Sequence, residues 1–178
     1  MKKKISFILA LFSLVSLVAC SKKITNNAEK LIRENVDDIY IVEIGDTLEG
    51  DLYGVEIFHN DIDKNSDKKY KLIVFSDECL SLIDNDMRKE LWSLFMYNGF
   101  WGAMSSNDNS KIKEFKLLFY TGSHVSGNNL DGVFVRKNSR NNVLTSTGSH
   151  SFNSDLNNKL KSFSASVLDV MISGILLD

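Results

Sequence analysis

The alternation of apolar and polar positions divides the chain into segments of two periods. Ala28, Leu31, Ile32 and Val36 recur at helical spacing, which predicts a short helix from Asn27 to Val36 with Asn27 as its cap. Ile39–Ile44 (IYIVEI) is rich in β-branched residues and reads as a strand, as does Val55–His59. Tyr70–Phe75 (YKLIVF) is apolar on both faces and is expected at the centre of a sheet. The period then lengthens. Leu80, Ile83, Met87, Leu91, Leu94 and Phe95 recur at three and four residues, with Asp84, Asp86, Arg88 and Lys89 between them. This predicts one amphipathic helix, capped by Ser76 or Asp77 and stopped near Asn98-Gly99. Ile112–Tyr120, Gly132–Arg136 and Val143–Thr147 read as three further strands. A long helix marked by Leu156, Leu160, Phe163, Val167, Val170, Met171 and Ile175, with Ser154 as its cap, closes the order.

Runs of strands broken by few helices argue against a doubly wound parallel sheet. The expectation is an α+β fold: a mostly antiparallel sheet packed by helices on one face, in a single domain over residues 28–178. The chain has 178 residues, within the range of one domain able to bury a core without staples. It contains no proline, so its turns depend on Gly, Asn, Asp and Ser.

The residues before this domain have a different pattern. Met1-Lys2-Lys3-Lys4 is a positive opening, and Ile5–Val18 is almost wholly apolar. That run is shorter than the ~20 residues of a spanning helix and suits the hydrophobic region of a secretory signal. A retained N-terminal anchor is the alternative reading. The run ends Leu17-Val18-Ala19-Cys20, which resembles the lipobox of bacterial lipoproteins, Leu-x-(Ala/Gly)-Cys. The resemblance implies cleavage after residue 19, a diacylglycerol on the Cys20 thiol and acylation of the new amino group. It also implies that Ser21, standing where Asp retains Gram-negative lipoproteins at the inner membrane, favours the outer membrane. Residues 20–27 then form the acylated cysteine and a polar tether. Two or three acyl chains exceed the threshold for stable anchoring that one chain barely reaches, at ~0.8 kcal/mol per buried methylene.

Charge and cysteine content narrow the function classes. The formal net charge is -2, and loss of the three leading lysines would make the remainder more acidic. An acidic chain with scattered charge and no basic stripe does not suit nucleic acid. There are two cysteines, so lipidation of Cys20 leaves Cys79 without a disulfide partner; on the apolar face of a predicted helix it reads as a buried, inert thiol.

Three stretches could carry a site. Asp61, Asp63, Asn65 and Asp67 alternate like the early ligands of a calcium loop, but Ser66 stands where Gly is wanted and Leu72 where Glu is wanted. A solvated turn is the plainer account of that segment. TGSH occurs twice, ending in His124 and His150, each expected after a strand, so the two histidines are candidate metal ligands at one sheet edge with Asp131 or Asp155. Leu91–Met104 holds both tryptophans, and Trp92, Phe100 and Trp101 are candidates for an exposed contact surface, against burial in the core. HExxH, P-loop and GxGxxG motifs are absent, and GSHVSG around Ser126 fails as a nucleophile elbow. No cofactor is implied. The expectation is a lipid-anchored binding or assembly module of the cell envelope with a protein partner. An envelope hydrolase or metal-dependent enzyme using His124 and His150, and a host-facing surface lipoprotein, are the alternatives.

Overall fold

A computed structural model of the protein describes residues 27–119, 132–138, 143–149 and 156–174. The expected lipidation site Cys20 and the histidines 124 and 150 lie outside these residues, as do Asp131 and Asp155.

The chain begins with a helix over residues 27–34 (α1) and a short 3-10 turn, Val36–Asp38. Seven strands follow: β1 (Ile39–Ile44), β2 (Asp51–Leu52), β3 (Val55–His59), β4 (Tyr70–Phe75), β5 (Phe100–Ser105), β6 (Gly132–Asn138) and β7 (Val143–Ser149). Helix α2 (Asn85–Tyr97) lies between β4 and β5, α3 (Asn109–Leu118) between β5 and β6, and α4 (Leu156–Ser173) follows β7. The strands form one sheet in the order β2-β3-β1-β4-β5-β6-β7.

The sheet is mixed rather than mostly antiparallel. β3, β1, β4 and β5 run parallel, whereas β2 and the β6–β7 hairpin are antiparallel to their neighbours. The reason lies in the connections. Parallel neighbours are usually joined through a helix, and here two of the three crossovers lack one. The return from β1 to β3 runs through the two-residue strand β2, and residues 60–69 carry the chain from β3 across β1 to β4 without regular structure.

Helices cover both faces, not one. On the first face Val42, Ile73, Phe75, Met104 and Val135 pack against Leu91 and Phe95 of α2 and Ile112 and Phe115 of α3. On the second, Ile41, Leu72, Val74, Ala103 and Phe134 pack against Ile32 of α1 and Leu160, Phe163 and Leu168 of α4. A strand buried on two sides reads as a nearly continuous apolar run; all six residues of β1 are buried, and Glu43 is the one charged residue among them.

Three local predictions change. The segment Asp77–Leu82 is a 3-10 turn, and α2 starts only at Asn85, where the Asp84 carboxylate accepts from the Asp86 and Met87 backbone N–H groups at 3.0 and 2.8 Å. That cap sets the helix start more strongly than the apolar period upstream. Residues Asn109–Leu118 form a helix instead of a strand. Asp108 accepts from the Ser110 N–H at 2.8 Å, and Ile112, Phe115 and Phe119 line one face. Phe100–Ser105, which follows the expected helix stop at Asn98-Gly99 and carries no expected element, is strand β5. Gly99 (φ 73°) ends α2 and starts it. Gly102 then lets Phe95 approach the sheet, since a Cβ there would stand 2.7 Å from the Phe95 ring.

Candidate functional site

In open sheets with parallel strands, ligands favour the carboxyl edge where neighbouring connections leave toward opposite faces. Here that point lies between β1 and β4. The chain after β1 enters the α4-side core with Leu48, and the chain after β4 enters the α2-side core with Cys79 and Leu80.

Several chemically capable side chains gather there, and most are already engaged. The Glu43 carboxylate, fully buried, accepts from the Thr47 and Leu48 backbone N–H groups, both at 2.9 Å, and lies 3.3 Å from His59 Nδ1. Gly45 (φ 130°) runs against Ser76, and a Cβ at Gly45 would stand 2.0 Å from Ser76 Oγ. The crevice between β1 and β4 is therefore filled by backbone and a hydroxyl. Asn60, at φ 56°, closes the β1–β3 side by donating its N–H to the Glu43 carbonyl and exchanging side-chain hydrogen bonds with Gly45.

Ser106 Oγ donates to Asp77 Oδ2 at 2.7 Å and accepts from the Asp108 N–H at 2.8 Å. Lys159, buried on α4, donates to the Ser106 carbonyl and to Asn107 Oδ1. Burial raises the Asp77 carboxyl above its ordinary range, against the lowering effect of the Ser106 hydrogen bond. The buried Cys79 thiol donates to the Ser76 carbonyl at 3.0 Å and is pushed up to about 12, first by desolvation and then by the charges of Glu43 and Asp77. A thiol in that state is no nucleophile. Ser76 Oγ and Asp77 Oδ1 have no hydrogen-bond partner among the described residues.

The aromatic candidates separate. Phe100 and Trp101 are successive residues of β5 and face opposite sides of the sheet. Phe100 is fully buried against Tyr40. Trp101 is half-buried, stacked on Phe134 at 5.6 Å with Arg136 over its ring. Trp92 stands apart on α2, 40% exposed, edge-on to Tyr97. The three do not form one surface. Tyr97, Leu82 and Leu117 are the most exposed large apolar side chains among the described residues.

Asp61 and Asp63 lie in the 60–69 crossover loop, on the α2 side of β1. The Asp63 carboxylate accepts from the Asn65 N–H at 3.0 Å, a local turn. The loop is fastened to the strand by Tyr40, whose hydroxyl donates to the Asp61 carbonyl at 3.0 Å and accepts from the Asp63 N–H at 2.8 Å. Burial raises the Tyr40 phenol above its ordinary value, against the lowering effect of its hydrogen bond with the Asp63 backbone, and the charges of Asp63 and Asp61 add to the rise. Between loop and strand lies a cavity of about 490 Å³, lined by Tyr40, Phe58, Asp61, Asp63, Asp67 and Lys68 among others. No three His, Cys, Asp or Glu side chains among the described residues are placed to hold a metal ion. The element before the first TGSH is helix α3 rather than the expected strand; His124 and His150 themselves lie outside the described residues.

Sequence reasoning missed Glu43, although a lone carboxylate inside IYIVEI was a visible signal. It also missed Ser106, Asp77 and Lys159, which are distant in sequence and meet only through the strand order. Comparisons with family models, curated proteins and solved structures each found no match for this chain.

Proposed function

We propose that the protein is a bacterial lipoprotein, acylated on Cys20 and held at the cell envelope with the outer membrane favoured, whose domain acts by binding rather than by catalysis. The observation that carries this reading is the sequence Leu17-Val18-Ala19-Cys20 at the end of a basic and then apolar leader. No helix among the described residues is long and apolar enough to cross a membrane. Attachment in this reading runs through the acyl chains, which suffice when two or three are present.

The preference for binding is supported by the carboxyl edge of the sheet. Glu43 serves two backbone amides and His59, Ser106 serves Asp77 and Asp108, Lys159 serves the β5–α3 loop, and the Cys79 thiol is sealed. These groups fasten loops to the sheet. A catalytic group needs reach to a substrate atom, and Glu43, Ser106, Lys159 and Cys79 are all buried.

Metabolic labelling with a fatty acid in a bacterial host tests the anchor. The native chain is expected to take up label and to partition with the membrane fraction. Cys20→Ala is expected to lose both. Label retained by Cys20→Ala overturns the reading.

A further inference from the structure

The cavity beside Tyr40 has features that the lipid anchor does not explain. Phe58 stacks on Tyr40, with ring centroids 5.4 Å apart and planes 28° apart, yet stays 41% exposed at the cavity. An aromatic ring supported from beneath and open above is a platform whose electron-rich face attracts cations. The volume, about 490 Å³, is within the range of small-molecule sites, roughly 300–1,000 Å³.

The charges around the platform are distributed unequally. Asp61, Asp63 and Asp67 line the cavity, and all three are exposed. The lysines of this loop and of the start of β4 each have a contact of their own, and of them Lys68 lines the cavity. Lys64 pairs with Glu90 on α2 at 2.6 Å. Lys68 donates to the Asp37 carbonyl at 2.6 Å. Lys69 lies over the Tyr70 ring, and Lys71 donates to the Ser66 carbonyl and lies over Phe100. The lining thus carries three acidic residues against one lysine, Lys68, beside an exposed aromatic ring, so its charge balance is negative.

We propose that this cavity binds an organic cation, a primary amine or a guanidinium on a short alkyl chain, with the alkyl part on Phe58 and the charged end among Asp61, Asp63 and Asp67. A metal ion suits the site less well. It would want several carboxylate oxygens converging at fixed distance, and Asp63 spends one oxygen on its turn. An alkyl ammonium or guanidinium tolerates looser placement and gains from the ring. The proposal stands independently of lipidation.

Calorimetric titration of the full chain in detergent tests it. The probes are butylamine, butylguanidine and the capped amino acids N-acetyl-lysine amide and N-acetyl-arginine amide, with butanol as the neutral control. Saturable binding of at least one cationic probe, with none for butanol, is expected. The capped residues separate a peptide side chain from a free amine as the source of the cation. Asp61→Asn with Asp67→Asn should weaken binding about five- to tenfold, as two partly exposed charge contacts warrant. Phe58→Ala should weaken it about threefold. Phe58→Leu keeps the apolar bulk without the ring and should fall close to Phe58→Ala, so a fold defect in one variant does not decide the matter. Absence of binding by every cationic probe overturns the proposal. So do equal binding of butanol, affinities unchanged in these variants, and displacement of the probe by micromolar calcium.

Discussion

The carboxylate of Glu43, wholly buried in the central strand of the parallel set, meets the half-exposed imidazole of His59 across 3.3 Å. The same carboxylate closes the loop after β1 by accepting from Thr47 and Leu48. Its role is better described as a loop clamp than as an ion pair, because the backbone partners are buried more deeply than the histidine. Glu43→Ala would leave buried N–H groups unpaired and should destabilise the fold by about 2–4 kcal/mol. His59→Ala, losing a contact open to solvent, should cost less than ~1 kcal/mol. Urea unfolding of the two variants checks the difference; equal losses would count against the clamp.

Gly45→Ala tests the closed crevice. The backbone there is at φ 130° and a Cβ would overlap Ser76 Oγ. The variant is expected to lose about 2–4 kcal/mol, from strain and collision together. Adding Ser76→Gly should recover the collision part and leave the strain. A double-mutant cycle by thermal unfolding reads this coupling.

The Asp77 carboxyl has a folded-state value above its ordinary one, chiefly through burial. Its contribution to stability is therefore fully present below the unfolded value and is lost as pH rises through the folded value. The window begins near pH 4 and extends upward from there. Because the group is only part-buried, solvent screens the effect, which should be a fraction of a kcal/mol. Asp77→Asn, which can still accept from Ser106, should flatten that part of the curve of melting temperature against pH. An unaltered curve would contradict the assignment.

Cys79 should be silent toward thiol reagents while the protein is folded. At pH 8 a thiol pushed up to about 12 is almost wholly protonated, and its sulfur is buried. A chromogenic disulfide reagent is expected to react only at the rate of unfolding, and fully in denaturant. Rapid labelling of the native domain would show that the segment after β4 opens.

The legible parts of this fold were those where one physical pattern dominated. IYIVEI and YKLIVF could only be buried strands, and the stripe from Leu156 to Met171 could only be a helix. The parallel arrangement was hidden because the usual sign, a helix between strands, is missing at both the β1–β3 and β3–β4 connections. IKEFKLLFY carries strand-favouring aromatics at helical spacing. The cap at Asp108 and the packing of Phe115 and Phe119 against Phe75 decide it, at centroid distances of 4.9 and 6.2 Å. Phe100 and Trp101 illustrate a different loss. Adjacent aromatics on a strand point apart, so a pair weighed together as one surface or one core is divided between the two faces of the sheet. The groups at the carboxyl edge were invisible for want of strand order, while the acidic loop was noticed only for the spacing of its carboxylates. Its relation to Tyr40 and Phe58 exists only once β1 and β3 lie side by side.

The position of α4 bears on when the domain can form. It is the last element described, and it covers β4 and β5, which lie far earlier in the chain. Until residues 156–173 are made, Leu72, Val74 and Ala103 have no lid on that side of the sheet. A nascent chain therefore cannot settle into its native packing as it emerges. It remains loose on that side of the sheet until α4 has emerged and docked.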